Sequence, residues 1–305
     1  MLKHLLHSEI DKLKWNHCIC KSDHALLYAE AEYLDALAVN WDALVLNDYE
    51  SVMPLCWKSK WGINYLYQPP FVQQSGIFST KPLSDIVVQQ FINAAAMHFK
   101  FAEISLNYGN FSSNFNCTVA ARNNFIMSLE SEYEKTFNNY KPYIRERLNR
   151  LKKFNMKYQV SDDTNRAINF YQKTYGNRFN GISNQTFERF KSLCRQYQQK
   201  GRTIVREVKE DSTQELLAIV LLIKDEKRIY NLASTVTEKG KKLLANYFLY
   251  DNIFQEFSAQ GLCFDFEGSD LPGVSYFYEK FADNNQSYPF VKWNNLPWPL
   301  KIFKR

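Results

Sequence analysis

Glycine is scarce, with 10 residues in 305, and loops that cradle phosphates on backbone amides need several glycines close together. No Walker loop, dinucleotide fingerprint, Gly-x-Ser-x-Gly elbow or His-Glu-x-x-His occurs. The commonest nucleotide, nucleophile and metal signatures are thereby excluded. Long apolar runs are missing too: none approaches the ~18 residues of a membrane-spanning helix. Lys3, His4, His7, Glu9, Asp11 and Lys12 interrupt the first residues, unlike the apolar segment of a signal peptide. The expectation is a cytoplasmic chain with no membrane insertion. Cysteines are few and scattered, at 18, 20, 56, 117, 194 and 263, which suits reduced thiols without disulfides. His17, Cys18, Cys20 and His24 lack the second ligand pair of a structural zinc site, so no metal is expected.

What is present is a core and a repeat. A composition of 45% hydrophobic and 16% aromatic residues supplies two ordinary cores, and the length suits about two domains. In the first half, strand-like text at residues 51–55 and 65–68 is followed by a loop, a helix-like stretch at 83–100 and a short strand at 102–105. The order recurs at 218–221, 229–232, a loop around Gly240, 243–260 and 263–266. Matching Leu55 to Leu221, Tyr67 to Tyr230 and Glu103 to Asp265 gives offsets of 166, 163 and 162. Two copies of one strand-strand-loop-helix-strand unit are in register.

Ahead of the first copy, Ser22 or Asp23 is placed to cap a helix whose apolar residues run from Leu26 to Ala38, with strands at 44–46, 51–57 and 63–68 after it. A strand at 125–129 is expected to finish the first half. Helices are expected at 167–179 and 186–199, a strand from 202, and a last strand at 288–293. Between the copies, residues 141–157 carry Lys141, Arg145, Arg147, Arg150, Lys152, Lys153 and Lys157 against Glu146 alone. That excess of +6 equals the net charge of the whole chain. Pro142 suits the first turn of a helix, and Tyr143, Leu148, Leu151 and Phe154 would anchor it. Its cations form either a solvated face or a phosphate-binding face, for which arginine forks are suited.

Leu262, Phe264 and Phe266 alternate with Cys263, Asp265 and Glu267, so two carboxylates fall on one face of a strand and apolar rings on the other. A turn at 268–273 leads to a helix bearing Tyr276, Phe277, Tyr278, Glu279, Lys280 and Phe281. A strand-end carboxylate and a tyrosine at the next helix share an edge, which is either an ordinary solvated strand end or a place for a general base and a general acid. Cys263 has no histidine beside it in sequence, which argues against a thiol nucleophile.

This order, closed by Phe277-Tyr278-Glu279-Lys280-Phe281, resembles the GNAT N-acyltransferase fold, whose last motif often holds a Phe-Tyr-x-Lys-x-Gly-Phe-like run. Doubled in one chain, with a basic helix opening the second half, it is similar to the Fem-type peptidyltransferases. Residues 141–153 resemble that group's Arg-Arg-Asn-Ile-Lys-Lys-Ala helix, with Arg145, Leu148 and Leu151 at the Arg, Ile and Ala positions. Residues 264–281 resemble its Phe-Asp-Phe-x-Gly-Ser stretch and following helix, and Tyr33-Leu34-Asp35, Trp41 and residues 68–76 look like uncharacterised members. The resemblance covers nearly the whole chain. It implies an α/β (α+β) architecture of two tandem GNAT-like halves, 1–138 and 139–305, with mixed sheets flanked by helices.

It also implies N-acyl transfer from a thioester such as acetyl-CoA to a small-molecule or peptide amine, in a cleft between the halves. Glu267 or Asp265 would take the proton of the amine and Tyr278 would protonate the leaving thiolate. Gly240 with Lys239, Lys241 and Lys242 would hold donor phosphates. Arg145, Arg147 and Arg150, with Gln68, Gln73 and Gln74, would bind substrate. Three departures keep alternatives open. The loop at 235–242 has one glycine and three lysines where typical GNAT enzymes have Gln/Arg-x-x-Gly-x-Gly/Ala. Tyr278 stands where aminoacyl-tRNA-dependent Fem enzymes tend to have a lysine, and Glu146-Arg147 replaces Arg-Asn in the basic helix. The alternatives are a Fem-type transferase using aminoacyl-tRNA on a cell-wall precursor, and a binding protein that kept the fold without turnover.

Overall fold

The computed structural model describes every residue except 114, 177–181, 269–271, 299–300 and 302–305. The chain forms two compact units, Met1–Asn123 with the segment from Ser287 onward, and Asn124–Gln286.

The first unit contains strands β1 (Leu2–Leu5), β2 (Asn40–Leu46), β3 (Ser51–Lys60), β4 (Ile63–Tyr67), β5 (Phe78–Ser79), β6 (Phe101–Ser105) and β7 (Thr118–Arg122). Its helices are α1 (Lys12–Lys21), α2 (Ala31–Leu37) and α3 (Asp85–His98). Asp11 caps α1 by accepting from the amides of Leu13 and Lys14, and Ser84 caps α3 by accepting from Val87. The spacing of Val88, Phe91, Ile92 and Ala95 gives α3 one apolar stripe, buried in a core with Met53, Leu55, Leu66, Ala102 and Ile104. The helix expected from Ser22 divides differently. Ser22 ends α1, Leu27–Ala29 is a single 3-10 turn, and α2 begins only at Ala31. Leu26, Leu27, Tyr28 and Ala29 are buried one after another, so their apolar text marks a buried connection and not one helical face.

The second unit contains β8 (Phe125–Ser128), β9 (Met156–Ser161), β10 (Thr203–Glu210), β11 (Leu216–Lys224), β12 (Arg228–Val236), β13 (Cys263–Asp265) and β14 (Asn284–Asn285). Its helices are α4 (Tyr133–Asn139), α5 (Pro142–Leu151), α6 (Thr164–Tyr175), α7 (Asn184–Gln199), α8 (Glu238–Lys242), α9 (Ala245–Glu256) and α10 (Pro272–Tyr278). The end of the helix expected at 167–179 lies outside the described residues, as does part of the turn expected at 268–273. Pro142 does open α5, and Ile144, Leu148 and Leu151 form its buried stripe. β11 is buried from Leu217 to Ile223, which is why it reads as one uninterrupted apolar run.

A last strand, β15 (Tyr288–Asn294), returns to the first unit. The sheets run β1-β2-β3-β4-β6-β15-β7, with β5 on β3, and β14-β8-β13-β12-β11-β10-β9. Both are mixed: β4 and β6 are parallel in one, β12 and β13 in the other. The strand at Phe125 does not finish the first sheet. β8 pairs antiparallel with β13 and with β14, while β15 pairs antiparallel with β6 and β7. Phe125 and Tyr288 are 163 residues apart, the offset of the repeat itself. The two copies have therefore exchanged the strand that flanks each parallel pair. A division after residue 138 would leave β8 apart from β13, the strand to which it is hydrogen-bonded.

Candidate active site

The chemistry of the second unit gathers where β12 and β13 part. These parallel strands pair at only three positions, Arg228 with Cys263, Ile229 with Phe264 and Tyr230 with Asp265. Beyond them β12 carries a bulge, because Leu221 pairs with Ala233 and Leu222 with Asn231. Leu232 is the extra residue. Bulges re-aim side chains and break ladder pairing, and they concentrate next to functional sites.

Asn231 fills the start of this fork. Its Nδ2 donates to the hydroxyls of Tyr250 at 2.9 Å and Tyr278 at 3.2 Å, and lies 3.5 Å from the Phe266 carbonyl. Its Oδ1 is buried without a hydrogen-bond partner among the described residues. Tyr250 on α9 is enclosed by Phe264, Phe266, Phe277, Tyr278 and Phe281, with ring centroids 5.6–6.3 Å away in edge-to-face and tilted contacts. Tyr278 at the end of α10 stacks on Phe266 at 4.9 Å. Burial, reinforced by the Tyr250 hydroxyl, pushes the Tyr278 phenol well above its ordinary range. Tyr171 of α6 adds to that shift and has its own phenol raised by burial.

The two candidate carboxylates have different surroundings. β13 stops at Asp265, and Glu267 takes a left-handed backbone, φ 59°, so the alternation expected over residues 262–267 does not continue to Glu267. Asp265 is fully buried, 2.5 Å from Arg228 Nη1, with its Oδ2 also accepting from Asn124 and its Oδ1 from the amide of Glu267. Those bonds use both carboxylate oxygens. Glu267 is partly exposed as a residue, but its Oε1 is enclosed and has no hydrogen-bond partner among the described residues. Burial pushes its carboxyl well above the usual carboxylate range. Cys263 is half-buried and its thiol is pushed up to about 12 by burial, unlike a reactive thiolate.

Of the three arginines on α5, Arg150 pairs with Glu146 one turn away and is largely exposed, and Arg145 donates to the Asn138 carbonyl at 3.3 Å. Arg147 turns inward. Its Nη1 donates to the hydroxyl of Tyr247 on α9 at 2.5 Å, and its guanidinium lies 4.7 Å from the centre of that ring. Lys280 Nζ reaches the same hydroxyl at 3.1 Å. Among the described residues, neither cation has a carboxylate within 4.0 Å. Phe277 touches both Tyr247, at 5.0 Å, and Tyr250, so the cation pair adjoins the hydroxyl cluster. Lys280 and Tyr247 were not singled out from sequence. The only signal was the Phe277–Phe281 run in which Lys280 stands.

The loop expected to hold donor phosphates is built for packing. Gly240 lies in α8 with its amide donating to Thr237 Oγ1 at 2.9 Å, and a Cβ there would come 2.1 Å from the Leu217 carbonyl oxygen. Lys239 is paired with Glu210 and Glu215, and Lys241 with Glu238. Lys242 is exposed. α8 and α9 are separated by Leu243 and Leu244, of which Leu244 has a left-handed backbone, φ 57°.

The first unit has the same fork, closed by its own chain. β4 and β6 pair at Leu66 with Ala102 and Tyr67 with Glu103. Gln68, the counterpart of Asn231 at an offset of 163, accepts from the Ser105 amide at 2.9 Å and donates to the Val72 carbonyl at 2.7 Å. Ser75 bridges Leu106 in parallel just beyond. Gln74 is fully buried, accepting from the Tyr108 amide and donating to Gln73. The amides of Gln68 and Gln74 are thus spent inside the unit, not presented to a substrate.

Among the described residues, no group of three His, Cys, Asp or Glu side chains is placed to share a metal ion, and no helix is long and apolar enough to cross a membrane. Residues 138–278 match the model of the acetyltransferase (GNAT) domain. No curated protein sequence matches the chain. In structure the chain is similar to FemX, at 11% identity and a TM-score of 0.64 over 99% of each chain. It is also similar to L-PGS from Bacillus licheniformis, at 11% identity and 0.53 over 86% of this chain and 87% of that one. A tandem GNAT protein from the clavulanic acid biosynthesis pathway gives 9% identity and 0.50 over 97% and 99%. The chain has a duplicated GNAT-like fold, similar to that of FemX and of the tandem GNAT protein, and its second copy carries the GNAT domain match.

Proposed function

We propose that the fork of the second unit is an N-acyltransferase site, moving an acyl group from a thioester donor such as acetyl-CoA to an amine. The observation that carries this reading is the enclosed, unpartnered Oε1 of Glu267, one residue beyond the Phe266 ring that packs on Tyr278. A carboxyl held without a partner is costly unless a ligand completes it. Glu267 takes a proton from the substrate ammonium, and the freed nitrogen attacks the acyl carbonyl. The C–N bond forms as the C–S bond breaks, the leaving sulfur receives the phenolic proton of Tyr278, and the second proton that the nitrogen sheds on becoming an amide restores the phenol. Burial keeps that phenol protonated until the sulfur leaves. Asp265 stays paired with Arg228 and positions the backbone of Glu267 through its amide. Arg147 and Lys280 bind an anionic part of the donor or acceptor, and Lys241 and Lys242 meet donor phosphates as outlying charges.

A second reading changes the donor to an aminoacyl ester on tRNA. It is favoured by the unpaired Arg147–Lys280 cation pair and by a donor loop whose one glycine amide is already used by Thr237. Similarity in fold to FemX is consistent with it. Calorimetry with acetyl-CoA and with aminoacyl-tRNA, at low and physiological salt, separates the donors. Saturable acetyl-CoA binding lost on changing Lys241 and Lys242 to Ala supports the thioester. Binding to tRNA alone, falling steeply with salt as counterions are released, supports the ester. Tyr278→Phe tests turnover: a large loss in rate with donor binding retained supports its role as acid, and an unchanged rate removes it. A chain that binds neither donor is a binding protein that has kept the fold.

A further inference from the structure

The first unit carries a feature that acyl transfer does not use. β3 and β4 are joined by a two-residue turn, since Lys60 pairs with Ile63, and both turn residues are left-handed, Trp61 at φ 53° and Gly62 at φ 75°. This backbone suits Asn-Gly or Gly-Gly, whereas a bulky side chain at the first position is strained. The strain brings no packing in return, because Trp61 is 72% exposed. β2 stops pairing with β3 at Trp57, and β6 pairs with β4 only from Leu66. Residues 58–65 therefore project past the sheet as a two-stranded tip. Lys58 and Lys60 lie on one face with Tyr65 and Ile63, their cross-strand partners. Lys58 Nζ sits 4.2 Å over the Tyr67 ring and Lys60 Nζ 4.7 Å over the Trp61 ring. The sequence holds no Asp or Glu between Glu50 and Asp85, so the tip is purely cationic.

We propose that this hairpin is a peripheral docking tip for an anionic phospholipid surface, with Trp61 in the headgroup layer and Lys58 and Lys60 against lipid phosphates. Tryptophan settles at the membrane-water interface because its ring is apolar and its N–H is wet, and lysines near an anionic leaflet add attraction. A projecting two-residue tip offers no concavity to enclose a small ligand or track a nucleic-acid strand, whereas a planar fluid surface reaches Trp61 and both lysines together. Acyl transfer in the second unit is not needed for this reading.

The test is flotation of the full chain with vesicles of phosphatidylcholine alone and with about 30% phosphatidylglycerol, at low and physiological salt. Partition is expected onto the anionic vesicles only, weakened by salt. It should fall about tenfold or more in Trp61→Asn and in Lys58→Ser/Lys60→Ser, the loss of one interfacial ring or two screened charges. Trp61→Asn also guards against misfolding, since Asn-Gly is favoured in this turn and the variant should melt at or above the wild-type temperature. Wild-type chain that fails to float on anionic vesicles overturns the proposal, as do hairpin variants that float equally well. A Trp61→Asn variant that melts lower shows that the ring serves the fold. Loss of total-RNA binding in the variants with vesicle binding unchanged assigns the tip to nucleic acid instead.

Discussion

Asp265→Ala and Glu267→Gln should separate a carboxylate that holds the fold from one that awaits substrate. Asp265 is fully buried and Arg228 nearly so, and their contact is 2.5 Å. Removing the carboxylate leaves the guanidinium enclosed, with Gln286 Oε1 at 2.9 Å as a neutral acceptor. It also removes the acceptor used by the backbone amide of Glu267 and one used by the side chain of Asn124. Breaking one partner of a buried ion pair costs ~3–5 kcal/mol. For a unit the size of Asn124–Gln286, each kcal/mol lowers the melting temperature by ~2–4 °C, so the drop should be about 6–20 °C. Glu267→Gln instead replaces a carboxyl whose Oε1 has no partner among the described residues with a neutral group of the same size, and its stability should stay within ~0.5 kcal/mol of wild type, about 1–2 °C in melting temperature. Thermal melts of the full chain by circular dichroism, alongside acyl-transfer rates, provide the assay. Glu267→Gln should lose turnover while keeping stability, and wild-type rate should rise with pH as the raised Glu267 carboxyl ionises. The reasoning is refuted if Asp265→Ala melts like wild type, or if Glu267→Gln is destabilised as much as Asp265→Ala.

Asp251 on α9 accepts from the Tyr133 hydroxyl at 2.9 and 3.0 Å, and burial raises its carboxyl from 3.8 to about 6. The folded state then holds a proton that the unfolded state has lost, so stability should fall as pH rises from about 4 to 6, by about 3 kcal/mol in all. Urea midpoints of Asp251→Asn at pH 4 and 7 should lack that decline; an identical decline would sink the assignment. Gly240→Ala brings a Cβ to 2.1 Å from the Leu217 carbonyl oxygen and should cost ~1–3 kcal/mol as overpacking, read by thermal melting. Arg147→Met and Lys280→Met should each weaken binding of the anionic donor about tenfold or more, one charge-assisted hydrogen bond being worth ~1.5–3 kcal/mol. Calorimetry showing undiminished affinity in both would remove the cation pair from the site.

Much of the fold was legible because it depends on local pattern. Periodicity located α3, α5, α7 and β11, and the closely similar offsets of Leu55, Tyr67 and Glu103 from their partners, 166, 163 and 162, exposed the duplication. Residues 22–38 misled because a buried connection carries the same apolar text as a helix face. The strands at 125 and 288 were readable as strands, yet their sheets were not. Each follows one copy in sequence and hydrogen-bonds in the other's sheet, and partner choice lies in long-range backbone pairing that no local window contains.

For the site, the sequence by itself determined which residue types were at hand: two carboxylates after a short strand, a tyrosine on the next helix and a cluster of arginines. Only the tertiary structure decided among them. Asp265 and Glu267 are two residues apart, but one meets Arg228 and the other has an enclosed oxygen with nothing to accept. Gln68 and Asn231 occupy the same place in the two copies, but Gln68 stitches its fork shut while Asn231 joins two tyrosine hydroxyls. Charge and donor count are properties of a side chain, whereas burial and partnership belong to the atoms that folding brings around it.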